Sequence, residues 1–243
     1  RRPPRSTLFP TRRSSDLLPW LGFFDKISNA DIWVVLDHTE NNTRDSAFWG
    51  RRVQMVVNNK PFWISVPLQK SQGNIGTPIN EMMISNAKNK MLKTCVQSYS
   101  RAPYFNEYKY LIEDYFSSKD MSLINRNMKF INEVIDLVEI PVKMVFSSEL
   151  GCEKKSTELL IEIVQKLNGT EYLAGGGAGG YQQDALFEEN NIKLVYNNFE
   201  HPIYEQFNVK EGFIKGLSIM DCLMNVRSEE HTSNSSHVAI SYA

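Results

Sequence analysis

Apolar positions between residues 31 and 226 fall into two kinds of run. Short runs rich in β-branched and aromatic residues predict strands at Asp31-Ile-Trp-Val-Val-Leu-Asp37, Val142-Lys-Met-Val-Phe146, Glu171-Tyr-Leu-Ala174 and Asn191-Ile-Lys-Leu-Val-Tyr196. Arg52-Val-Gln-Met-Val-Val57 and Phe62-Trp-Ile-Ser-Val66 flank Asn58-Asn-Lys-Pro61, turn residues that predict a hairpin. Apolar residues three and four apart predict helices over 86–100, 104–116, 122–138, 156–167 and 217–225, and a short one ending at Glu189. Pro103 and the cluster Ser117 to Asp120 separate the first three, and Asn168-Gly169 closes the fourth. Strands alternating with helices predict an α/β fold, a single domain with a mixed sheet and an inserted helical section. No repeat or linker interrupts it.

The two ends break this pattern. Residues 1–17, RRPPRSTLFPTRRSSDL, have no apolar periodicity and back-translate codon by codon into a common short-read sequencing adapter lacking one base. Residues 227–243 do the same with one skipped base. Both are therefore expected to be non-native, leaving 18–226 as an α/β domain truncated at both ends.

That division changes the charge. The whole chain carries 27 Lys+Arg against 28 Asp+Glu, but the ends hold six of the basic and three of the acidic groups, so the inner chain has 21 against 25. A mildly acidic chain gives no electrostatic case for nucleic acid as a partner. No apolar run approaches the roughly 18 residues that span a bilayer, and no apolar signal-peptide core is present, so neither insertion nor export is expected. Cys95, Cys152 and Cys222 are odd in number and far apart, as reduced thiols of a cytoplasmic protein would be. Two of the four histidines leave with the tail, and the remaining His38 and His201 do not make a multi-histidine metal site, so no metal ligands are assigned.

Candidate chemistry concentrates in a few places. Gly175, Gly177 and Gly180, followed by Tyr181, fit a dinucleotide fingerprint between a strand and a helix. So Gly-rich a run matches that pattern by composition alone, and a loop cradling a phosphate or carbonyl, or a plain connection, fits as well. Gly151 to Thr157 resembles a nucleotide P-loop but lacks the second Gly, so Ser156 or Thr157 is expected instead to cap the following helix. Asp37 closes a strand at the edge where α/β sheets hold ligands, and His38 beside it is on the opposite face if the strand continues. His201 with Tyr204 and Gln206 joins a base to two polar donors, although a histidine before proline also serves simply to tie a loop. Arg51 and Arg52 offer guanidiniums for a carboxylate or phosphate, or a solvated edge. Ser218, Asp221 and Asn225 form a polar stripe on an apolar helix.

Taken in order, several motifs resemble the WbqC-like protein family, a bacterial group of O-antigen gene clusters. They are Leu18-Pro-Trp-Leu-Gly-Phe-Phe-Asp25, the strand to Asp37, Arg51-Arg-Val-Gln-Met55, Phe62-Trp-Ile-Ser-Val-Pro67, Tyr99-Ser-Arg-Ala-Pro-Tyr-Phe105, Gly175 to Tyr181, His201-Pro-Ile-Tyr-Glu-Gln206 and Leu217-Ser-Ile-Met-Asp221 with Asn225. The family opens with a short strand leading into a Gln-Pro-Tyr type motif, and here the adapter-like residues occupy that place. The resemblance thus implies that the native first strand is missing, and Met91 stands where many relatives carry His. It also implies a cytoplasmic protein of lipopolysaccharide or other surface-polysaccharide biosynthesis.

Three functions follow as expectations. One is a transferase moving an acyl, aminoacyl or glycosyl group onto an activated amino sugar, with His201, Asp37 or Tyr204 catalytic and the Gly loop and arginines holding the phosphorylated partner. Another is a non-catalytic module binding a nucleotide-linked sugar. The third is a dinucleotide oxidoreductase, resting on the glycine fingerprint alone. Sequence assigns no cofactor and no oligomeric state.

Overall fold

A computed structural model describes residues 7–11, 15–40, 48–69, 76–85, 90–175 and 183–226. They gather into two compact units, each drawn from separated stretches of chain: Arg1–Ser14, Asp25–Thr39 and Ile140–Glu200 in one, Ser15–Phe24, Glu40–Glu139 and His201–Ala243 in the other. This interleaving is why no linker shows in the sequence.

The first unit is a parallel sheet. Its strands are β1 (Thr7–Thr11), β2 (Ile32–Val35), β5 (Lys143–Phe146), β6 (Glu171–Gly175) and β7 (Lys193–Asn197), in the order β5-β2-β1-β6-β7 with every pair parallel. Order along the sheet therefore runs one way from β1 through β2 to β5 and the other way from β6 to β7. Strands buried on both faces read as continuous apolar runs, which is how β2 looked in the sequence. Helices α5 (Ser156–Lys166) and α6 (Asp184–Glu189) connect β5 to β6 and β6 to β7. Leu159, Ile163 and Val164 of α5 meet Leu8, Val34, Tyr172 and Phe187 in one core, where the rings of Tyr172 and Phe187 stack at 4.9 Å and 8°.

Residues 7–11, expected to carry no native structure, take the central place in this sheet. Leu8 is fully buried, and β1 pairs with β2 from Leu8 to Thr11. Its pairing with β6 is shorter, covering only Thr7 and Leu8. Pro10 supplies no N–H for a ladder on either side.

The second unit holds the hairpin of β3 (Arg52–Val57) and β4 (Lys60–Ser65). Its two-residue turn has Asn58 at φ 52° and Asn59 at φ 61°, the left-handed pair that asparagine tolerates in a tight hairpin. The hairpin is a separate two-stranded ribbon, so among the described residues the antiparallel pairing lies outside the five-stranded parallel sheet. Packed in the same unit are α2 (Met91–Tyr99), α3 (Phe105–Ser117), α4 (Leu123–Leu137) and α7 (Ile219–Asn225). Helix α4 begins at Ser122, whose hydroxyl accepts from Asn125 N, and buries the stripe Leu123, Met128, Ile131, Val134 and Ile135. At its centre Asn127 is fully buried, accepting from the Tyr115 hydroxyl and donating to the Ser15 and Gly50 carbonyls, each at 2.7 Å.

One helix start differs from expectation. Lys155, not Ser156 or Thr157, occupies the N-cap of α5 and offers no side-chain cap, while Thr157 Oγ1 instead accepts from Gln183 N at 3.3 Å. Cys95 and Cys222 are buried and Cys152 half-buried, all as thiols, and burial pushes the first two up to about 12. Among the described residues no helix is long and apolar enough to cross a membrane.

Candidate functional site

Strand direction in the first unit gathers polar groups at the carboxyl edge of the sheet. Just past the end of β2, buried Asp37 accepts two bonds on one oxygen, from Ser147 Oγ at 3.0 Å and Ser148 N at 2.9 Å. Both serines open the single 3-10 turn Ser147–Leu150 that follows β5. His38 Nδ1 lies 2.6 Å from the same Ser147 Oγ. The neighbouring acid and imidazole therefore meet through a serine from another strand end, which their adjacency in sequence does not reveal.

A second cluster lies at the ends of β6 and β7. Gly175 is the last residue of β6 and pairs with Asn197, the last of β7. Asn197 Nδ2 donates to Asp25 Oδ2 at 2.8 Å, and burial raises the Asp25 carboxyl above its ordinary range against that bond. Lys26 follows on the last turn of α1 (Leu21–Ser28), buried to 7% exposure. A β-carbon built on Gly175 would stand 3.7 Å from Lys26 Nζ, an ordinary van der Waals distance, so the amine lies beside the strand end. Desolvation brings this lysine down to about 7, so it changes charge near neutrality. Gly175 thus stands where the Gly-rich run begins; Gly177, Gly180 and Tyr181 lie outside the described residues.

The second unit brings together most of the remaining candidates. Asp221 is fully buried in the first turn of α7 and accepts three hydrogen bonds: Tyr99 Oη at 2.6 Å, Tyr204 Oη at 2.8 Å and Gln206 Nε2 at 3.0 Å. Burial raises the carboxyl, the three donors and the charge of His201 oppose the rise, and the tyrosines are pushed far up by the same burial and by the carboxylate. Tyr204 therefore keeps its proton and acts as a donor. Gln206 also grips the backbone of Ile214 with both amide atoms, at 2.9 and 3.0 Å. Ser218 accepts from Met220 N and starts α7, and Asn225 ties Phe207 N to the Asp221 carbonyl.

His201 stands beside this hub. Its Nδ1 is 2.9 Å from the Pro202 carbonyl, which makes it a donor there, and its ring packs edge-on against Phe213 at 5.2 Å. Arg52 lies over the Trp63 ring at 3.5 Å, a stacked guanidinium rather than an extended one. Arg51 closes the 3-10 turn Trp49–Arg51 before β3. Sequence reasoning missed Ser147, Lys26 and Tyr99 as site residues. Tyr99 was present in a motif, whereas Ser147 and Lys26 carry no local signal.

The model of the WbqC-like protein family matches residues 14–233, and the chain belongs to that family. The match reaches a short way into both segments that read as adapter. The chain is also 26% identical over 219 residues to the uncharacterized protein Rv1507c of Mycobacterium tuberculosis, covering 88% of this chain and 92% of that one. No solved structure matches.

Proposed function

We propose that this chain is a cytoplasmic transferase of surface-polysaccharide biosynthesis, O-antigen included, that moves an acyl, aminoacyl or glycosyl group onto a nucleotide-linked amino sugar. The observation that carries the reading is the reversal of strand order between β1 and β6, beside the end of β6 where the Gly-rich run starts. Open α/β sheets hold ligands outside the carboxyl ends of their strands at such a reversal, because the connecting chains part there in opposite directions. Among the described residues the ladder between β1 and β6 covers only Thr7–Leu8 and Glu171–Tyr172, at the start of the strands. Gly175 with the glycines beyond it would meet the phosphates, Lys26 would add positive charge, and the Asp37 cluster would receive the acceptor's proton. His201, Arg51 and Arg52 are the further candidates of the second unit.

Thermal unfolding against nucleotide sugars, acyl-CoA thioesters and nicotinamide cofactors tests it, followed by product assays with the ligand that stabilises. A ligand at about 100 times its dissociation constant adds roughly 2.7 kcal/mol. Stabilisation by a nucleotide-linked amino sugar is expected, with product on adding a donor. Stabilisation by NAD alone overturns the transferase for an oxidoreductase.

One observation favours a binding module without catalysis. Tyr204, Gln206 and Asp221 direct their polar atoms at one another and at backbone, the arrangement of a structural anchor. That reading expects saturable sugar-nucleotide binding and no product with any donor.

A further inference from the structure

The cluster at the end of β2 admits one arrangement of protons. A carboxylate only accepts, so the 3.0 Å contact between Ser147 Oγ and Asp37 Oδ1 requires the serine proton to point at Asp37. With the proton the other way, two lone-pair oxygens would face each other at that distance in a buried site. Ser147 has a single proton, so at its 2.6 Å contact with His38 the hydroxyl oxygen must accept and Nδ1 must donate. The neutral imidazole then carries its hydrogen on Nδ1 and its lone pair on Nε2, the reverse of the form a solvated histidine prefers. Nε2 has no hydrogen-bond partner among the described residues, and His38 is half-buried, so that nitrogen is within reach of a ligand.

We infer that His38 is the general base at the carboxyl edge of this sheet, with Ser147 and Asp37 as positioning residues that fix its tautomer through the relay Asp37–Ser147–His38. The inference rests on the transferase reading for its substrate, an acceptor bearing a hydroxyl or amine. As the acceptor heteroatom bonds to the acyl or anomeric carbon of a thioester or nucleotide-linked donor, its proton passes to Nε2. The bond from that carbon to the thiolate or nucleoside diphosphate breaks, the electron pair leaves with that group, and the imidazolium returns its proton to it or to water. While charged, the ring is held one hydroxyl away from the Asp37 carboxylate, which stabilises it. Asp37 thereby acts through Ser147 and does not touch the substrate.

The tautomer is read without substrate, so it is tested apart from the transferase reading. Long-range proton–nitrogen NMR of the full chain at a pH where His38 is neutral, assigned with His38→Gln, should show Nδ1 protonated and Nε2 bare. Nε2 protonated instead overturns the relay. Ser147→Ala should return His38 toward the ordinary Nε2–H form; an unchanged tautomer would remove Ser147 from the argument. If the tautomer is as stated and a transferase assay exists, His38→Gln should lower kcat at least about 100-fold, the usual worth of a positioned base. Turnover within a few-fold of the parent would overturn the base while leaving the transferase standing.

Discussion

Tyr99 donates its phenolic proton to Asp221 across 2.6 Å while accepting from Val56 N at 2.9 Å, so one hydroxyl joins α2, α7 and β3. Tyr99→Phe keeps the ring and removes both bonds. It leaves the Val56 N–H without its acceptor and Asp221 with two donors, a loss of about 2–4 kcal/mol on the usual cost of buried unsatisfied groups. Urea unfolding measures it, and a loss below half a kcal/mol would mean that water replaces the hydroxyl.

Asn127→Leu should be worse. It fits the same volume roughly, yet deprives the Tyr115 hydroxyl and the Ser15 and Gly50 carbonyls of their partner at once. A loss of about 3–5 kcal/mol is expected. Adding Tyr115→Phe to it should cost less than Tyr115→Phe alone, because the hydroxyl is already stranded; equal costs in both backgrounds would contradict the coupling.

Lys26 makes stability depend on alkaline pH. Its folded value near 7 lies below the ordinary 10.5, so the unfolded chain binds the extra proton between those limits and stability from this group rises with pH across them. Lys26→Met should therefore be favoured most at and below pH 7, with the pH-dependent part, roughly 3–5 kcal/mol, vanishing toward pH 10.5. Chemical denaturation of both proteins at several pH values gives the difference. A gap constant over that interval would place the lysine in water.

Gly175→Ala separates fold from function. The added methyl makes ordinary contact with Lys26 Nζ at 3.7 Å, so stability should stay within about 1 kcal/mol. If phosphates approach the end of β6, the same methyl should weaken binding of a nucleotide-linked sugar about tenfold by titration calorimetry. Unchanged affinity would move the ligand away from this strand end.

Much of the fold was legible because most elements are locally patterned. The expected strands fall on β2, β5, β6 and β7, the hairpin and the helices α3, α4 and α7 lie within two residues of expectation, and the helix expected over 86–100 is found as α2 (Met91–Tyr99), with 86–89 outside the described residues. Helix α1 was not read, since Leu18 to Asp25 served only as a motif. Nor was β1, whose five residues include a proline and sit among arginines. The sites were less legible for a different reason. Asp37 and Asp221 stood out only with their sequence neighbours His38, Ser218 and Asn225, whereas their partners Ser147 and Tyr99 are 110 and 122 residues away, and no spacing rule reaches that far.

The central position of β1 also sets how the first unit must assemble. Its neighbour β6 is paired at residues 164 positions away, and the stretch Glu40–Glu139 of the second unit intervenes between β2 and β5. Closing such distances is slow, because chain entropy is lost before the contact rewards it. A chain emerging from the ribosome would carry β1 and β2 as an unfinished apolar patch until the last third of synthesis, and a refolding chain would hold the same patch open while the rest collapses. The sheet is thus the step on which yield depends, and chaperone demand and loss to aggregation should rise with protein concentration.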